Sequence, residues 1–294
     1  MTQPQGEVFD IGYQPYEGAR EGRNAARKAL LIDGMRTALG MGRGLTAKIL
    51  PGLLFLALLI PALVFIIIAS VVGETGIDDI PGVADYYHGA IFPVLIFSAI
   101  IAPELLTADR RNDVLSLYLV RPITSSDYIL GRWLAFFLLS LIVVWVPQLL
   151  LYIGVNLGSA DPWGYLRDNW DDIPRFLLAG TALALFTTTL PLAAAAFTDR
   201  RAIAAAVVIG IWVITLTVGN ALSEGIGGTT GAWLALIDIG STPLHINDMI
   251  FNQSSDGPGR LAEEVPKAVR IVWYLVLVAV PAAFLYMKYR KASA

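Results

Sequence analysis

The chain of 294 residues contains no cysteine. That excludes a disulfide framework, a thiolate metal site and a cysteine nucleophile. Charge is scarce as well. Only 15% of residues are Asp, Glu, Lys or Arg and 56% are hydrophobic, against about 25% and roughly 45–50% in average soluble proteins. A soluble sphere of this size could not hide so much apolar surface, so lipid is the expected solvent. No apolar run falls within the first 48 residues, which carry seven Lys/Arg and five Asp/Glu. A cleavable secretory signal would place one there, so the first apolar segment is expected to serve as the insertion signal. The two histidines, His88 and His245, lie far apart, with no metal-ligand spacing and no nucleophile–base arrangement around them. No G-x-x-x-x-G-K-[ST] phosphate loop occurs, since Gly40-Met-Gly-Arg-Gly44 lacks the Lys-Ser/Thr pair. Neither catalysis, nor a cofactor bound by this chain, nor a nucleic-acid partner is expected.

What is present is long apolar runs. A helix needs about 20 mostly apolar residues to cross a hydrocarbon core about 30 Å thick. Six segments qualify: 50–73, 89–107, 131–155, 175–197, 202–222 and 268–288. The second reads as the weakest, being short and ending in Pro103-Glu104. None shows strand alternation, so the spans are helices. The fourth and fifth are separated only by Thr198-Asp-Arg-Arg201, which demands a tight hairpin.

Lys and Arg orient the spans. With both ends inside, the cytoplasmic segments hold 16 of the 21 basic residues and sum to +7, while the outer segments sum to −9 and Glu104 adds −1. Every inner segment is net positive and every outer one net negative. The expected location is therefore a plasma membrane, bacterial or archaeal, with a cytoplasmic stretch 1–48, a six-span domain 49–288, an inner loop 108–130, an outer loop 223–267 and an inner tail 289–294. Tyr86, Tyr87, Trp163, Trp170 and Trp273 fall at the outer boundary, and Trp133, Tyr286 and Tyr289 at the inner one, as an aromatic belt would. In 24–48, Ala26, Leu30, Met35 and Leu39 recur at near-helical spacing with Arg27, Lys28, Asp33 and Arg36 elsewhere on the wheel. This suits an amphipathic helix in the inner headgroup region, basic face to lipid phosphates. Four glycines from Gly34 to Gly44 weaken the helix, and a disordered basic tail is the alternative. The outer loop 223–267 carries the apolar patch Trp233–Ile237, expected as short helices on or in the outer leaflet.

The densest pattern lies between the second and third spans. It reads Pro103-Glu-Leu-Leu-Thr-Ala-Asp-Arg-Arg-Asn-Asp-Val-Leu-Ser-Leu-Tyr-Leu-Val-Arg-Pro122, then Ser125-Ser-Asp-Tyr-Ile-Leu-Gly-Arg132. Asn112 and Asp113 can cap a short helix with the face Val114, Leu115, Leu117, Tyr118, and Arg121-Pro122 can stop it. Ser125, Ser126 and Asp127 can cap the next. A short helix with one apolar face needs a partner or a membrane surface to cover it.

These residues resemble the ABC-2 family of ABC-transporter permeases, whose second cytoplasmic loop has the pattern P-E-L-L-x-x-D-R-R-x-x-x-L-x-L-Y-L-x-R-P followed by D-Y-x-L-G-[KR]. The likeness covers about thirty residues at motif level and the whole chain in layout. It implies an all-α membrane protein with six transmembrane helices, an N-terminal amphipathic interfacial helix and short external helices between spans 5 and 6. It further implies a coupling helix seated on a cytoplasmic ATP-binding-cassette ATPase through Arg110, Arg111, Asp113, Leu115, Leu117, Tyr118, Arg121 and Pro122. ATP and Mg would belong to that partner, and a working transporter would hold two permease copies, as homodimer or heterodimer, in membrane lipid.

Glu104, a carboxylate inside a span, has a structural hinge role, a coupling role or a substrate contact open to it, and Arg110 or Arg111 could neutralise it. Gln148, Thr187, Thr188, Thr189, Thr215 and Asn220 are candidates to line a pathway, or to tie helices together. The scarcity of charge favours a hydrophobic or amphiphilic cargo. A transporter or channel working alone, and a non-transporting scaffold, remain the alternatives.

Overall fold

The computed structural model describes residues 22–42, 44–72, 82–111, 123–159, 161–254 and 260–291. Among them the protein is all α-helical, with six helices long and apolar enough to cross a membrane. It is a multi-pass membrane protein. The helices run α1 (Arg23–Ala38), α2 (Leu45–Val72), α3 (Tyr86–Arg111), α4 (Ser125–Gly158), α5 (Pro162–Asp168), α6 (Asp172–Ala195), α7 (Arg201–Ile226), α8 (Gly228–Ala235), α9 (Thr242–Phe251) and α10 (Lys267–Lys291), with a 3₁₀ turn at Arg260–Glu264 before α10.

The spans are unequal in depth. In α3, α4 and α6, 67%, 56% and 72% of the apolar window is buried, against 11%, 22% and 17% in α2, α7 and α10. Three helices make the core, and three present their apolar flanks outward. The lowest mean hydropathy falls to the fourth span, 1.7, rather than the second, 2.0, because Thr187, Thr188 and Thr189 lie in α6. All three threonines are fully buried, so α6 trades hydropathy for hydrogen bonds inside the bundle. Proline interrupts every span except α7.

α4 is the longest helix at 34 residues, about 51 Å at 1.5 Å per residue. A ~30 Å hydrocarbon core leaves two or more turns in water. Its first turn is fixed by a capping box: Thr124 accepts from the Asp127 amide at 3.2 Å, and Asp127 accepts from the Thr124 amide at 3.1 Å.

α1 lies against this projecting part of α4. Its buried residues Leu30, Gly34 and Ala38 form a stripe at i, i+4, i+8. Gly34 is needed there, because a Cβ on it would sit 2.7 Å from Ala135 Cβ. Gly131 answers from the other side, where a Cβ would come within 2.8 Å of Leu30 Cδ2. The glycine that lowers helix propensity in the sequence is thus the one that lets α4 pack onto the bare backbone of α1. Nor does the basic edge of α1 face only lipid: Arg23 and Arg27 both bind Asp127.

The expected outer aromatic belt divides. Trp163 and Trp170 are 82% and 62% exposed. Tyr86 and Tyr87 are instead core residues, packed edge to face with ring centroids 5.3 Å apart. Their hydroxyls donate to Leu58 O at 2.9 Å and Phe176 O at 3.1 Å. Tyrosine can satisfy its polar tip on a buried carbonyl as well as on water. Tyr289, expected at the inner boundary, is likewise buried.

Candidate functional site

Two polar regions stand at opposite ends of the bundle. The first is where α1, α3, α4, α7 and α10 gather their cations. At its centre is Arg132 of α4, 1% exposed. Its guanidinium reaches Asp33 of α1 at 2.9 Å and Asp109 of α3 at 2.6 Å. Tyr128, one turn earlier, donates its hydroxyl to Asp109 at 2.8 Å, and its ring lies 5.7 Å from the Arg132 carbon. A buried guanidinium is tolerable only when charges and hydrogen bonds surround it, and here three helices supply them.

The next residue of α3 makes a parallel set of bonds. Arg110 donates through Nε to Asp199 at 2.8 Å and through Nη1 to the Ala196 carbonyl, so it grips the α6–α7 turn. Lys288 of α10 donates to the same carbonyl. Glu104, two turns back, is bound by Arg201 at the start of α7. One partner of Glu104 therefore comes from the fifth span.

The D-Y-x-L-G-R sequence now reads residue by residue. Asp127 caps α4 and holds Arg23 at 2.7 Å and Arg27 at 2.6 Å. Tyr128 and Arg132 hold Asp109, and Gly131 admits Leu30. Of the expected coupling residues, Arg110 is placed as described and Arg111 closes α3. Asp113, Leu115, Leu117, Tyr118, Arg121 and Pro122 lie outside the described residues. The segment 112–122 is thus bounded by two tied ends, Asp109-Arg110 before it and Asp127–Arg132 after it.

The second region lies at the acidic end. A cavity of about 600 Å³ opens between the first half of α3, the middle of α7 and the 238–254 segment. The loop after α8 crosses α7 at Gly219, where a Cβ would meet the Asp238 amide nitrogen at 2.7 Å. Asp238, 0% exposed, accepts from the Ser241 hydroxyl at 2.7 Å, the Ser241 amide at 3.3 Å and the Asn220 amide at 3.3 Å. Burial raises its pKa above the ordinary carboxylate range, against the pull of those Ser241 and Asn220 hydrogen bonds. Asp248 of α9 sits 2.6 Å from His88 Nε2, and Asn247 ties α9 to the Ala84 carbonyl at 3.0 Å.

The candidate pathway residues are placed as follows. Gln148, Thr187, Thr188 and Thr189 are fully buried in the core. Gln148 donates to the Val83 carbonyl, Thr187 to Leu183 O at 2.8 Å and Thr188 to Ser140 Oγ at 3.2 Å, while Thr189 accepts from Trp133 at 3.0 Å. Thr215 bonds back to Trp212 O at 3.2 Å, and Asn220 bonds Leu216 O and Asp238. The cavity wall is made by other residues. Among the described residues, no group of three or more His, Asp or Glu is placed to hold a metal ion.

Sequence reasoning missed Arg132, Asp109 and Asp33 as one ionic network beside the Arg201–Glu104 pair, and Asp238, Asp248 and His88 as the wall of one cavity. The first was signalled by acids and bases within the motif itself. The second joins positions up to 160 apart in sequence, and no local signal marks it.

A comparison with curated proteins finds no match. The family profile for the ABC-2 type transporter matches residues 46–224, more than half of the chain and all of spans 1 to 5. That match spans both tied ends of the loop motif. The chain belongs to the ABC-2 type transporter family and is an ABC transporter permease, a membrane transport component.

Proposed function

We propose that this permease is the membrane-spanning half of an ATP-driven exporter, powered by a separate cytoplasmic ATP-binding-cassette subunit that engages residues 110–122. The observation that carries this reading is the pinning of both ends of that segment. Asp109 and Arg110 on one side and Asp127, Tyr128 and Arg132 on the other are bonded to α1, α4, α6 and one another. A force applied between two anchored ends reaches the helices without being absorbed by slack. The family match supports the same reading, since ABC-2 permeases generally pair with such an ATPase.

In this reading the basic end is cytoplasmic, as are both termini, and the acidic cavity faces outward. Arg110, Arg111, Asp113, Leu115, Leu117, Tyr118, Arg121 and Pro122 form the contact with the ATPase, whose bound ATP and Mg supply the energy. A second permease copy completes the pore, and the cargo is hydrophobic or amphiphilic. Glu104 with Arg201 links the second span to the fifth at the point where α3 leaves the bilayer.

Affinity purification of the tagged permease from its native membrane tests the pairing. Copurification of a protein carrying a phosphate-binding G-x-x-x-x-G-K-[ST] loop supports it. Transport by the purified permease alone would overturn it. Within the complex, Glu104→Gln should cut transport-coupled ATPase activity by about tenfold while assembly is kept. Unchanged coupling in that variant would remove Glu104 from the mechanism.

A further inference from the structure

We propose that the cavity at the acidic end is a binding site for an amphiphilic organic cation, a protonated or quaternary amine on an apolar body. The inference rests on the export reading only in calling that cation cargo; the site itself is read from its walls.

Two helices line the cavity with single faces. Along α3 and the turn before it the facing residues are Asp85, His88, Phe92 and Leu95, and on α7 they include Trp212 and Leu216. On the first face the order matters: an acid and a histidine come first, and the residues deeper along the helix are apolar. The cavity is therefore charged at one end and oily along its length, the shape of an amphiphile.

Three carboxylates, Asp85, Asp238 and Asp248, line the cavity, and no Lys or Arg is among its lining residues. His88 can offset one of the three by its 2.6 Å contact with Asp248. Asp85 accepts the Gly82 amide at 2.8 Å, and Asp238 takes its hydrogen bonds from the neutral Ser241 and Asn220. A carboxylate held this way in a low dielectric must take up a proton or meet a cation. A ligand ammonium does the second at no cost to the hydrogen bonds already made.

A separate observation also points to a ligand. Trp212 is 5% exposed and lines the cavity, yet its indole N–H meets no acceptor among the described residues. Asp248 Oδ2, on a side chain 2% exposed, is likewise unmet. Orphaned buried donors and acceptors are uncommon and call for an explanation. A molecule in the cavity that carries an acceptor beside its ammonium would satisfy both.

The test is equilibrium dialysis of the full-length permease in lipid nanodiscs against radiolabelled tetracaine, a tertiary amine with an ester acceptor. Its neutral counterpart, butyl 4-(butylamino)benzoate, is measured beside it, and partition into protein-free nanodiscs is subtracted from both. Saturable binding of the amine, about tenfold tighter than of the neutral ester, is expected. Asp238→Asn should weaken it about tenfold, and Leu216→Trp, which fills the apolar length, should abolish it. Asp85→Asn, at a half-buried position at the charged end, should weaken it by a smaller factor and serves if the Asp238 variant does not fold. Equal binding of both molecules, or binding unchanged in the Asp85 and Leu216 variants, would overturn the proposal. Because the ATPase takes no part in this measurement, such a result would remove the cargo class and leave the ATP-driven reading to its own test.

Discussion

The two ends of the bundle handle ionisable groups in opposite ways. At the basic end, the charges described meet opposite charges across helices: Arg132 between Asp33 and Asp109, Arg23 and Arg27 on Asp127, Arg110 on Asp199, Arg201 on Glu104. At the acidic end, Asp238 is held by neutral donors beside a cavity of about 600 Å³. Closed ion pairs join elements into one body, whereas a carboxylate that keeps one sign beside open space can still be neutralised from outside. The first end is built as a joint and the second as a receptacle.

That contrast can be broken most forcefully at Arg132. Arg132→Met leaves Asp109 as a poorly solvated, uncompensated carboxylate and should cost about 3 kcal/mol. Asp33 adds little to the loss, because its side chain is 53% exposed and water can replace its partner. The unfolding midpoint in detergent should drop by about 8 °C. A drop under about 2 °C would show that the joint is not held by charge. Gly34→Ala strikes the same joint through shape. Its new methyl must displace Ala135 Cβ, at a cost of about 2 kcal/mol. Limited trypsin digestion should then cut at Arg27 and Lys28 several-fold faster while the spans stay protected.

Asp127→Asn is milder. Arg23 and Arg27 are each 48% exposed, so their ion pairs are screened, and the expected loss is about 1 kcal/mol, mostly from the cap. Raising salt should shrink the difference from wild type. The smallest effect belongs to the other end. The folded state binds the Asp238 proton more tightly than the unfolded state. Its contribution to stability is therefore complete below the unfolded value of about 3.9 and is lost as pH rises through the folded value. Asp238→Asn should remove that decline, visible as a change of under about 3 °C in midpoint between acid and neutral pH. A decline that persisted in the variant would assign it to another group.

The spans were legible because hydropathy and length are local properties. The segment read as 131–155 appears as Ser125–Gly158, extended at its start by a polar turn that no hydropathy window includes, and 175–197 appears as Asp172–Ala195, shifted toward its polar start. The loop motif was legible as a pattern, while the bonds that give it meaning were not. Glu104 meets Arg201, 97 residues away, a pairing that no local pattern announces. Tyr86 and Tyr87 were read as a belt because a tyrosine at a helix start looks the same whether its hydroxyl finds water or the Phe176 carbonyl. The acidic receptacle was least visible. Its polar residues come from α3, the turn before it, α9 and the loop after α8, and each alone resembles an ordinary outer-loop polar residue, while its apolar wall on α3 and α7 reads as plain span.

Gly34 and Gly131 carry one last consequence. Each removes a side chain that would otherwise stand between α1 and α4, so the Ala135 methyl and the Leu30 side chain rest directly on bare backbone. In mechanical terms the contact has no backlash. Two facing side chains can swing through rotamers and absorb the first ångström of a push, but a methyl packed on bare backbone has no rotamer to yield. Any tilt of the projecting part of α4 is delivered to α1 in full, and the N-terminal helix works as a crank arm keyed to its shaft.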